Sequence, residues 1–123
     1  MIDLTARFLS EQKASKVGLL STLGTAQTGL YQKALAHHGI PVQLPIKAHQ
    51  TQTMAIILSI KANGHLKELK TSFLTIIDAL KEQGVDAIIL GCTELPLLFE
   101  NELPEGLVDP MTILAQAVIS QQS

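Results

Sequence analysis

Residues 86–91 read Asp86-Ala87-Ile88-Ile89-Leu90-Gly91, and this run decides the fold class. It is apolar without alternation, the pattern of a strand that shows neither face to water and so lies in a parallel sheet with helices on both sides. Working outward, residues 65–83 carry Leu66, Leu69, Phe73, Ile76, Ile77 and Leu80 at spacings of three and four, which predicts a long amphipathic helix stopped by Gly84. Residues 50–61 are also helical in period, with Met54, Ile57 and Leu58 as the apolar stripe and Asn63-Gly64 as the break. Residues 17–22 (VGLLST) form a short apolar run before Gly24 and read as a buried strand. A helix is expected at about 26–38, with Thr25 as N-cap and Gly39 just past its end. Pro41 forbids continuation, and residues 42–46 (VQLPI) predict a second strand whose Pro45 suits a sheet edge. At the chain's start, residues 3–14 predict a helix capped by Asp3, with Leu4, Phe8 and Leu9 on one side. Near its end a short fourth strand is expected at Leu107-Val108. Asp109-Pro110 then opens a last helix, aspartate as N-cap and proline as first helical residue, with Met111, Leu114, Ala115 and Val118 facing inward. Strands alternating with helices give an α/β fold: a three-layer sandwich around a short parallel sheet of three to four strands.

The chain's 123 residues suffice for one domain, and 46% apolar residues suffice for its core. Charged residues are only 16%, so much of the surface is apolar or merely polar. The net charge is −2 and Arg7 is the single arginine, which leaves no basic footprint for nucleic acid. With aromatics at 3% and no tryptophan, stacking platforms are also missing. Cys92 is the only cysteine, so no internal disulfide forms, and no Cys/His spacing suggests a metal site. The chain opens with no signal-peptide pattern and has no apolar run of membrane-spanning length. The expectation is a soluble cytoplasmic protein that does not contact membranes.

In an open α/β sheet, ligands bind beyond the carboxyl ends of the strands. Three places qualify. Ser21-Thr22-Leu23-Gly24-Thr25 leaves the first strand, and its hydroxyls can hold a carboxylate or simply cap a helix; by itself the pattern favours the cap. Gly91-Cys92-Thr93-Glu94 leaves the strongest strand. A thiol at a helix start is pulled toward thiolate, and the expectation is a pKa below the free value of about 8.5; the alternative is a small buried cysteine. Lys61 stands seven residues after Met54 on the apolar stripe, and either snorkels to solvent, the reading favoured by spacing, or projects into a cleft. His37 and His38 suit a helix C-terminus, while His49 and His65 border helices; none has a metal partner at ligand spacing. Lys67, Lys70, Lys81 and Glu82 read as the solvated face of the long helix.

Four motifs, in order, resemble the aspartate/glutamate racemase family of cofactor-independent amino-acid racemases. Val17 through Thr25, followed by Gly29-Leu30-Tyr31, resembles its glycine–threonine strand exit. Ile60-Lys61-Ala62-Asn63-Gly64 resembles its lysine–glycine helix end. Gly91-Cys92-Thr93-Glu94-Leu95-Pro96-Leu97-Leu98 resembles its second catalytic cysteine motif, the most specific of the four. Val108-Asp109-Pro110 with Leu114-Ala115 resembles its closing aspartate and last helix.

The resemblance covers nearly the whole chain but half the family's length, since family members have two similar domains with one cysteine each. It implies a lead-in helix at 1–16, an α/β domain at 17–109 like the second racemase domain, and a C-terminal helix at 110–123. It implies that Cys92 moves the α-proton on one face of a small acidic amino acid. Thr93 would bind a substrate carboxylate, Thr25 would stand on the opposite rim, and Lys61 would draw in the acidic side chain. Asn63 departs from the family's direct alanine–glycine step, which implies a displaced helix end, and Pro110 replaces a frequent threonine or serine.

Racemisation needs a base on one face and an acid on the other, and a thiolate can serve without cofactor or metal. No lysine lies at a strand exit in a phosphate-binding context, so no pyridoxal pocket is expected. With one thiol, the chain alone is expected to be inactive as a racemase and to form a homodimer, with exchange of the last helix open. Two other classes stand beside this one: a non-catalytic α/β module binding an acidic ligand or another chain, and a one-cysteine lyase such as a decarboxylase.

Overall fold

The computed structural model describes residues 1–100 and 102–122. The elements run α1 (Ile2–Glu11), β1 (Val17–Leu20), α2 (Leu23–Thr28), α3 (Leu30–Ala36), β2 (Val42–Gln43), α4 (Lys47–Lys61), α5 (Leu66–Glu82), β3 (Ala87–Leu90), a 3-10 turn (Leu95–Phe99), β4 (Leu107–Val108) and α6 (Pro110–Gln122). The four strands form one parallel sheet in the order β2-β1-β3-β4. β2 is an edge strand, as Pro45 implied, and stops at Gln43, short of that proline.

The central strands supply both cores. Leu20, Ile88 and Leu90 pack under α4, α5 and the 3-10 turn, with Ile56, Ile57, Ile60, Phe73, Ile76, Ile77 and Leu80. Val17, Leu19 and Ile89 point to the other face, against Ala6, Leu9, Tyr31, Ala34 and Leu35 of α1 and α3, with Ile113 of α6 at the margin. Successive strand residues thus enter opposite cores, which is why Ala87–Leu90 shows no polar alternation. Among the described residues the buried polar ones are Thr5, Ser21 and Thr53, and each donates a hydroxyl to a nearby carbonyl, so their burial leaves no donor unmet.

Several local expectations need correction. The first helix starts at Ile2 and makes no side-chain cap bond, so Asp3 lies inside its first turn. The helix expected at 26–38 is two short helices divided at Gly29, whose φ of +69° is a left-handed turn that suits glycine. Its N-cap is Thr22, whose Oγ1 accepts from the Thr25 amide at 3.1 Å, so Thr25 is inside the helix rather than its cap. On α4 the inward residues are Thr53, Ile56, Ile57 and Ile60, while Leu58 is 59% exposed. The apolar triplet Met54, Ile57, Leu58 spans a wider arc than the buried face, and only Ile57 belongs to it fully.

On α6, Met111, Ala115 and Val118 face outward and Leu114 is half-buried; Pro110 is buried and Ile113 packs on the core. α6 lies along α1 of the same chain, which turns that side inward. Asp109 does cap α6, as its position implied: its Oδ1 accepts from the Met111 amide at 3.0 Å.

Candidate functional site

β1 and β3 are neighbours at the centre of the sheet, and the connections leaving them run to opposite sides. Their carboxyl ends therefore lie together at the point where strand order reverses, the place where open α/β sheets bind ligands. Gly91 follows β3 and donates its amide to Leu20 at 2.9 Å. A Cβ at Gly91 would stand 3.1 Å from the Ser21 Cβ and 3.2 Å from Leu19 Cδ1, so glycine lets the two exits close up. The β1 exit is also tied to α4, since Gln50 Nε2 donates to the Ser21 carbonyl at 2.9 Å and the Leu23 amide meets Met54 Sδ at 3.3 Å.

The loop after β3 carries Cys92, Thr93 and Glu94. Cys92 Sγ donates to Glu94 Oε1 at 3.2 Å, and Thr93 Oγ1 donates to Glu94 Oε2 at 2.6 Å. Lys61, the last residue of α4, places Nζ 3.5 Å from the same Oε1. Lys61 is thus both half exposed, as a snorkelling residue would be, and turned toward the cysteine loop. Its placement depends on how α4 ends. The Asn63 amide bonds to the Ile60 carbonyl and the Gly64 amide to the Ser59 carbonyl, the paired bonds of a Schellman cap. Asn63 takes the left-handed position at φ +61°, and a Cβ at Gly64 would come within 2.8 Å of the Ser59 oxygen. The additional asparagine therefore closes the helix, with Lys61 kept as its final residue.

Cys92 differs from expectation in its ionisation. Burial pushes its thiol pKa up, and the hydrogen bond to the Glu94 carboxylate and that group's charge push the same way; the Glu94 amide and the Lys61 ammonium pull it down without prevailing. The helix start expected to favour thiolate is a five-residue 3-10 turn beginning at Leu95, three positions on, so little helix dipole acts on the sulfur. The Glu94 carboxyl is held below its ordinary value, first by the Thr93 hydroxyl, then by the Cys92 thiol, with Lys61 adding to both.

Thr25 stands at the neighbouring exit, its hydroxyl bonded to Thr22 Oγ1 at 3.1 Å, and no hydrogen bond among the described residues joins it to the Cys92 group. The sequence reading gave roles to Cys92, Thr93 and Lys61 and placed Glu94 in the same run without a role, although it is the group that links all three. It also gave no role to Tyr31, which with Asp109 lines the small cavity beside Cys92. Burial raises the Tyr31 pKa and the Asp109 charge adds to it. The signal for Glu94 was its place two residues after the thiol.

The cavity at Cys92 is only about 30 Å³, room for about one or two waters. A larger cavity, about 540 Å³, lies between α1, β4 and α6, and none of Cys92, Thr93, Glu94, Lys61 or Thr25 lines it. Among the described residues no group of three His, Cys, Asp or Glu side chains could hold a metal ion, and no helix is long and apolar enough to cross a membrane.

The family described as Asp/Glu/Hydantoin racemase matches residues 1–118. An uncharacterized protein in the pnlA 3'region of Pectobacterium carotovorum is 36% identical over 112 residues, covering 89% of this chain and 74% of that protein. A glutamate racemase of Latilactobacillus sakei is 34% identical over 118 residues, covering 87% of this chain and 41% of the racemase. Among solved structures, the Picrophilus torridus aspartate racemase superposes with a TM-score of 0.81 at 30% identity, covering 98% of this chain and 50% of its own. The chain thus spans about half the length of the racemases it matches. The sheet order, the strand exits and these matches agree, and the chain belongs to the Asp/Glu/Hydantoin racemase family.

Proposed function

We propose that this chain is a racemase-type domain acting on a small acidic amino acid, in which Cys92 transfers the α-proton on one face of the substrate. The observation that carries the reading is the convergence of a thiol, a hydroxyl and an ammonium, from the β3 loop and from α4, at the carboxyl ends of the central strands. Lys61 suits a carboxylate, and Thr93 offers one its backbone N–H, its hydroxyl proton being donated to Glu94 at 2.6 Å. An ammonium has three N–H donors, and the Lys61 side chain is 56% exposed, so donors remain for a ligand beside Glu94. Thr25 would complete the far rim from the β1 exit. The substrate's α-proton is exchanged by acid–base chemistry at the thiol, without cofactor.

An amino acid does not fit the small cavity at Cys92, and the sequence holds no second thiol. The opposite wall and the opposite proton donor therefore come from another domain or another copy. The 123-residue chain alone is expected to racemise aspartate or glutamate negligibly, checked by chiral chromatography and by deuterium uptake from solvent. Racemisation near the rate of a two-cysteine enzyme, persisting in Cys92→Ser, would overturn both the inactivity and the role of the thiol.

The second copy is the occupant we favour. α6 leaves Met111 47%, Val118 45% and Ile119 65% exposed even while it lies on α1, an apolar strip that a symmetric partner would cover. Sedimentation velocity at micromolar concentration is expected to show a dimer. A monomer with α6 protected in hydrogen exchange would remove the dimer.

A further inference from the structure

We propose that Glu94 is the positioning residue of this site: one carboxylate on which the thiol of Cys92, the ammonium of Lys61 and the hydroxyl of Thr93 all converge. The inference rests on the reading of Cys92 as the proton-transferring thiol. Oε1 is 3.2 Å from Cys92 Sγ and 3.5 Å from Lys61 Nζ, and Oε2 is 2.6 Å from Thr93 Oγ1. Core packing of Ile56, Ile57 and Ile60 brings the end of α4 to the β3 loop, and among the described residues Glu94 is the one ion-pair partner of the Lys61 ammonium there.

The carboxylate has two consequences. It holds a carboxylate-binding ammonium beside the thiol, which presets the distance between a ligand's acidic group and the sulfur. It also keeps Cys92 as a neutral donor at rest, its S–H aimed at Oε1. The other ionisable groups facing Cys92 are Tyr31 from α3, Asp109 ahead of α6 and the amino terminus at Met1 ahead of α1, whose residues line its cavity, and Lys61 from α4. Neither Tyr31 nor Asp109 has a hydrogen bond to the sulfur among the described residues.

Because Cys92 is the only thiol, its alkylation reports on this site alone. The test is the pH–rate profile for iodoacetamide, which is neutral, and iodoacetate, which is anionic, on the full chain, Glu94→Gln and Lys61→Met, with folding checked by circular dichroism. Glu94→Gln keeps the side chain's size and removes its charge. Its profile midpoint is expected to move to lower pH, raising the iodoacetamide rate at pH 7 about fivefold. Lys61→Met is expected to move the midpoint to higher pH and to lower the iodoacetate-to-iodoacetamide ratio about threefold. A purely structural effect would scale the rate at every pH and leave the midpoint in place. An unmoved midpoint in Glu94→Gln, or the same direction of shift in both variants, overturns the proposal. Should Glu94→Gln not fold, an unmoved midpoint in Lys61→Met overturns it instead. None of these readouts involves racemisation, so a failed profile leaves the role of Cys92 standing, and loss of that role leaves the profile to be judged alone.

Discussion

Phe73→Ala is expected to destabilise the fold by about 3–5 kcal/mol, a large part of a typical domain's total of about 5–15 kcal/mol. Phe73 is fully buried on α5 beneath the sheet, and its ring meets that of Phe99 at 6.2 Å between centroids, tilted by 51°. The substitution removes apolar contact and leaves a cavity that the 3-10 turn and α4 cannot both close. Thermal unfolding should fall by at least about 10 °C. Leu74→Ala, at the next and 37% exposed position, is the control and should cost under about 1 kcal/mol. Equal losses at both positions would mean that helix preference and not the core sets the cost.

In any assembly of this chain that racemises aspartate or glutamate, Cys92→Ser is expected to slow the reaction by about 10²–10⁴-fold, the range for loss of an acid–base group. A serine hydroxyl keeps the hydrogen bond to Glu94 but does not ionise in the working pH range. Since burial and Glu94 raise the thiol pKa, the rate should still be climbing at pH values where a free thiol would already have ionised. Release of the substrate's α-deuterium into water measures the effect directly. A loss smaller than about tenfold would take Cys92 out of the proton transfer.

The fold was legible where a side-chain pattern and a stop signal coincided. Leu69 to Leu80 with Gly84 marked α5, and Asp109-Pro110 marked the start of α6. It was illegible where tertiary contact chose between helix faces. Met111 and Val118 are as apolar as Ile113, but only the side lying on α1 turns inward. Gly29 divides a stretch that periodicity alone read as one helix. In the site, the run Gly91-Cys92-Thr93 was readable because its residues are contiguous and follow a strand. The role of Glu94, next in that run, was not, because it lies in a bond to Lys61, more than thirty positions away and on another element. The direction of the thiol's ionisation was misread for a related reason: it turns first on burial, which the sequence did not show, and then on the Glu94 side chain turning back to the sulfur.

The centre of the sheet joins strands from the two ends of the chain. β1 pairs with β3 along its whole length, Val17 on Ala87 through Leu20 on Leu90, and the turns before them are stitched by Ser15 and Asp86, 71 positions apart. β2, the only strand between them in sequence, offers β1 two residues of pairing. During synthesis, Val17–Leu20 therefore waits for its principal partner until residues 87–90 have left the ribosome. Closing so long a loop costs entropy that local pairing does not repay, so the domain gains its order late and all at once. Until then the VGLL segment lacks its four-residue partner, and an unpaired apolar strand edge is a template for association with other chains.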